Sequence, residues 1–163
     1  MKLSLLLLTC LVAAPSLAQQ SPPDTRAAKQ QVQAVVNDFR DAIIQKDTKK
    51  FLGLFLREDV IWQSVHSDEL LQKLRQKNPN ANKVGINPKQ NPRSFIEDIA
   101  AESKRSEEKF THVRIDTDGT IASVSFEFTF NLDDRVVNRG QESWHLVNTG
   151  NGWKIVSVIW SNN

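Results

Sequence analysis

From residue 120 to 131 the chain alternates without a break: Val124, Phe126, Phe128 and Phe130 fall on one side, and Ser123, Ser125, Glu127 and Thr129 on the other. Successive side chains of a pleated strand point to opposite faces, so a period of two predicts a β-strand with one buried face. Asp118-Gly119 just before it is a two-residue hairpin signal, with 111–117 as the partner strand. Asp133-Asp134 turns the chain into 135–148, and Thr149-Gly150-Asn151-Gly152 turns it again into 153–161. The expectation is a meander of four long antiparallel strands.

The last turn also predicts a register. A four-residue loop pairs Asn148 with Trp153, and uninterrupted counting sets Leu146 opposite Ile155, Trp144 opposite Ser157 and Glu142 opposite Ile159. Glu142 would then share a face with Trp144, Leu146, Trp153, Ile155 and Ile159. A one-residue slip would exchange the two faces.

Upstream the period changes. Val32, Val35, Val36, Phe39 and Ile43 recur at helical spacing, which predicts a helix over 27–46 with one buried stripe. Asp47 or Thr48 can cap a second helix carrying Phe51, Leu52, Leu54 and Phe55. The β-branched and aromatic run 60–65 reads as a first strand. Residues 67–91 form a polar insertion rich in Asn and Pro, with Lys73, Arg75, Lys77, Lys83 and Lys89, and Arg93 just beyond, against Asp68 and Glu69. A helical turn at 68–75 is the only element expected there, and the insertion is a candidate basic lid. A third helix starts at Pro92, with Asn91 as its cap and Phe95, Ile96 and Ile99 on its buried side.

Residues 1–18 have the layout of a secretory signal peptide: Lys2, an apolar stretch, then Ser16 and Ala18 at the positions a signal peptidase reads. Cleavage after Ala18 predicts a secreted or periplasmic protein without a stable membrane anchor, in which 19–26 is a flexible leader and 27–163 a single domain. It removes Met1, Cys10 and Lys2, so the mature chain has no sulfur and a net charge of +1 in place of +2. Thiol chemistry and disulfides are thereby excluded. A charge so near zero gives no field to hold nucleic acid.

Three helices, a strand after the second, and a four-stranded meander resemble the nuclear transport factor 2-like superfamily, and within it the SnoaL-like group. The resemblance is carried by residues 47–55 leading into Asp59-Val60-Ile61-Trp62, by Glu142-Ser143-Trp144-His145-Leu146, and by Asn151-Gly152-Trp153-Lys154-Ile155, and it spans 27–161. It implies an α+β, cystatin-like cone, in which three N-terminal helices pack on a curved, mostly antiparallel sheet around a pocket open at one end. That fold hosts isomerases, dehydratases and hydrolases as well as non-catalytic binders.

The sequence narrows the chemistry. Steroid-isomerase-like members use a carboxylate base with an acidic proton donor, commonly Tyr, and this chain has no Tyr. A protonated carboxylic acid can take that role, which requires two carboxyls in one cavity. His66, Glu127 and Glu142 are the candidate acid/base groups; Trp62, Phe95, Trp144 and Trp160 are the candidate ligand-binding residues. The three His have no metal-ligand spacing, so neither a metal nor a cofactor is expected. The leading expectation is non-covalent binding of a small apolar or amphipathic molecule, with a homodimer through a sheet face as a possible assembly. Its rivals are a cofactor-free SnoaL-like isomerase, dehydratase or hydrolase, and a periplasmic interaction module whose pocket is filled. A cavity below roughly 300 Å³ would favour the last.

Overall fold

The computed structural model describes residues 25–163. The expected signal peptide, 1–18, and residues 19–24 of the expected leader lie outside the described residues. The element order is α1 (Arg26–Gln45), α2 (Thr48–Gly53), β1 (Ile61–His66), α3 (Asp68–Lys77), β2 (Val84–Gly85), α4 (Pro92–Ala101), β3 (Ser106–Thr117), β4 (Ile121–Leu132), β5 (Arg135–Asn148) and β6 (Trp153–Asn162). No helix among the described residues is long and apolar enough to cross a membrane.

One six-stranded sheet runs in the order β2-β1-β6-β5-β4-β3. The expected meander supplies β3 to β6, all antiparallel neighbours. β1 joins in parallel at β6, where Trp62 pairs with Val158 and Ser64 with Trp160. The concave face of the sheet and the apolar stripe of α1 close on each other, burying Val32, Val36, Phe39 and Ile43 against Val124, Phe126, Trp144 and Leu146. Phe39 lies at the centre, with its ring 4.6 Å from Trp144 and 4.7 Å from Phe51. Asp47 caps α2 by accepting from Lys50 N at 2.8 Å, and Asn91 caps α4 in a reciprocal box with Ser94.

The described residues hold four helices where three were expected: α3, in the insertion, is a full helix where only a turn was expected, while α4 starts at Pro92 as read. α3 buries only Leu71, so its apolar period is faint. It is specified by its ends, because Ser67 accepts from Leu70 N and acidic Asp68 and Glu69 open the first turn while Arg75 and Lys77 close the last.

Three further corrections come from irregular backbone. β3 begins at Ser106, five residues before the expected start, and a bulge between Thr111 and Arg114 puts His112 in the left-handed region at φ 55°. The Asp118-Gly119 turn is wider than two residues, since Thr117 pairs with Ala122. The β5–β6 register is broken between His145 and Leu146, so Trp144 faces Val158 and Glu142 faces Trp160, not Ser157 and Ile159. The extra residue of that bulge sends Ile159 to the outer face, 44% exposed, and brings Trp160 inward.

Candidate functional site

A cavity of about 380 Å³ opens between the concave sheet, Phe39 of α1, Phe95 of α4 and the segment 85–90. Its floor follows from the strand register. One cross-strand row reads Gly85, Ser64, Trp160 and Glu142 from β2 to β5. A second, nearer the rim, reads Glu108, Phe130 and Asn138 from β3 to β5. Asn138 Nδ2 donates at 2.8 Å to Asn162, which pairs with His66 across β6 and β1. Each row carries one glutamate among aromatic and neutral polar side chains.

Glu142 is 5% exposed and has an indole for a neighbour: Trp144 Nε1 donates to its Oε1 at 2.5 Å. Burial pushes the Glu142 carboxyl up to about 8, against the opposing pull of the indole donor. Glu108 is 4% exposed, and among the described residues its carboxyl meets no hydrogen-bond or ion-pair partner. Burial, and next the charge of Glu142, push it well above the ordinary carboxylate range. Burial and the charge of a second carboxyl both disfavour ionising the two together. A protonated and an ionised carboxyl on the same cavity offer it a hydrogen-bond donor and an acceptor.

Trp62, Phe95 and Trp160 line the cavity. Trp144 is fully buried behind the wall, where it acts on the cavity through Glu142. His66 stands at the rim, its Nδ1 3.5 Å from Asn162 Nδ2. Glu127 is on the outer face of β4, half exposed and 3.3 Å from His112 Nδ1, so the structure separates it from the cavity. The basic residues of 67–91 also stay outside: Lys73 pairs with Glu69 at 2.6 Å and Lys83 with Asp68 at 2.5 Å. That segment contributes Gly85, Ile86, Asn87 and Gln90 to the wall instead.

Glu108 is the site residue the sequence reading missed. It sits in the charged run Lys104-Arg105-Ser106-Glu107-Glu108-Lys109, which reads as solvated loop. The bulge at His112 conceals its phase, because Glu108 and Phe110 face inward below the bulge and odd-numbered Val113 and Ile115 pack on the core above it.

No protein-family model and no curated protein matches the chain. Solved structures do. A proposed scytalone dehydratase from Novosphingobium aromaticivorans superposes with TM-score 0.61 at 16% identity, over 86% of this chain and 87% of that one. A nuclear transport factor 2-like superfamily protein from Salmonella enterica gives 0.57 at 17%, over 85% and 92%. A cystatin-like fold protein from Burkholderia xenovorans gives 0.51 at 20%, over 86% and 92%. The chain therefore shares the nuclear transport factor 2-like, cystatin-like α+β fold.

Proposed function

We propose that this chain is an exported SnoaL-like domain whose cavity holds a small apolar or amphipathic molecule without covalent chemistry. The observation that carries this reading is a cavity of about 380 Å³ lined by an aromatic arc together with polar side chains. That size lies within the range of small-molecule sites, and aromatic walls with a few fixed polar groups are how such sites gain area and orientation. The volume speaks against an interaction module with a filled pocket. Native mass spectrometry of the protein purified from its own host tests the reading: a retained small molecule is expected, and one released when Trp160 is replaced by Ala locates it. N-terminal sequencing of the same material should begin at Gln19 if export and cleavage occur as read.

A second reading has a specific observation in its favour. Two carboxyls in one cavity are what a cofactor-free isomerase without Tyr requires, and Glu108 and Glu142 supply them. In this reading Glu142, ionised, takes a proton from carbon next to a carbonyl, while protonated Glu108 donates a hydrogen bond to the enolate oxygen; the proton then returns at another carbon. Exchange of substrate hydrogen with deuterated solvent, lost in Glu142→Gln, would identify it.

A further inference from the structure

The cavity is unbalanced in charge. Glu108 and Glu142 both line it, and no Lys or Arg does. Several acids elsewhere are paired with bases: Glu58 with Arg93, Asp68 with Lys83, Glu69 with Lys73. Those pairs are exposed and contribute little to stability. The two interior acids, where an unpaired charge is most costly, meet no cation among the described residues. A fold that only needed to fill this space would do better with apolar side chains.

The rings beside these acids point the same way, since Trp160 pairs with Glu142 and Phe130 with Glu108 across the strands. Trp62 lies 5.2 Å from Trp160 and 5.4 Å from Phe95, and Phe95 lies 6.1 Å from Phe130, so four rings make a continuous arc beside the same space. Ring faces carry negative potential and attract a cation that has left water. Acids without a counter-ion and an aromatic arc both favour positive charge in the cavity, and neither favours negative charge.

We propose that the ligand of this cavity is an organic cation, a primary or quaternary amine on a compact apolar body, with its charged nitrogen held between the Glu108 and Glu142 carboxyls and the arc of Trp62, Phe95, Phe130 and Trp160. The proposal rests on the cavity being a ligand site and names the class of ligand. It also fixes a sign. The titratable groups lining the cavity are Glu108, Glu142 and His66 at the rim. On the outer side of β5, His112, Arg114 and Glu127 flank a depression that Glu142 also borders. A cation needs an ionised carboxylate, so its binding expels a proton and tightens as pH rises. A neutral carbonyl ligand needs the protonated acid, so its binding weakens as pH rises.

The test is calorimetric titration of the purified protein with 2-phenylethylamine and with its neutral counterpart 2-phenylethanol at mildly acidic and mildly basic pH. The amine is expected to bind about tenfold tighter at the basic end, with an advantage that shrinks on acidification and a heat that depends on the buffer's ionisation enthalpy. Glu108→Gln and Glu142→Gln, each confirmed folded by circular dichroism, should reduce the amine's advantage over the alcohol measured within the same variant, and Glu69→Gln, outside the cavity, should keep it. Equal binding of alcohol and amine, or an amine affinity that falls with rising pH, overturns the cation while the cavity reading stands. If neither probe binds, both are overturned.

Discussion

The indole nitrogen of Trp144 donates a 2.5 Å hydrogen bond to Oε1 of Glu142, two residues away on the same face of β5. A fully buried tryptophan thus has its one polar atom satisfied by the carboxyl that floors the cavity, and the carboxyl gains a fixed orientation. Trp144→Phe removes the donor and leaves space in the core. It should cost about 2–4 kcal/mol, part from the lost hydrogen bond and part from the void. Denaturant unfolding measures that cost, and Glu142 should titrate higher in the variant.

Stability should fall as pH rises through neutrality. Glu142 is raised from an ordinary 4.5 to about 8 in the folded chain, and Glu108 is raised as well. Between the unfolded and folded values the native state holds more protons than the unfolded state, so the slope is negative, of order 1 kcal/mol per pH unit for each such group. Melting temperature should peak at mildly acidic pH and decline toward pH 8. Glu142→Gln should flatten that decline and be the more stable protein at the basic end.

Gly140 has no room for a side chain. A Cβ there would come within 1.9 Å of the Ser161 carbonyl oxygen, because the end of β6 folds in over it, with Gln141 N bonding Ser161 Oγ and Asn163 N bonding Arg139 O. Gly140→Ala should therefore cost about 2 kcal/mol or more and loosen the Asn138, Asn162 and His66 rim. Amide exchange at Gln141 and Asn163 would show the loosening directly.

Ser106 opens β3 fully buried, and its hydroxyl finds no partner among the described residues. Ser106→Ala removes an unsatisfied oxygen without changing backbone or volume much. A gain of about 1 kcal/mol is expected in denaturant unfolding.

What the sequence made legible was whatever depends on an unbroken period. The stripe of α1, the alternation of β4, the Asp47 and Asn91 caps and the inward face of Glu142 all follow from local rules. Each misreading sits at an interruption. The β6 bulge moved Trp160 opposite Glu142, the His112 bulge hid Glu108, and α3 is held by its ends more than by an apolar face. Bulges are tertiary accommodations of a sheet that must curve, and one sequence carries no local mark of them. Glu127 shows the converse, since alternation alone places it outside, next to His112.

The central claim is that the space above Glu108 and Glu142 is a ligand site. The chain has four Trp, so the protein labelled with ¹⁵N gives four indole N–H signals. Two report on the cavity wall, Trp62 and Trp160, while Trp153 is tied to Gln31 Oε1 away from it. Titrated with the small-molecule extract of its own host, the protein should show shifts at Trp62 and Trp160, a smaller one at Trp144, and none at Trp153. Unchanged spectra, or shifts confined to Trp153, would contradict the account.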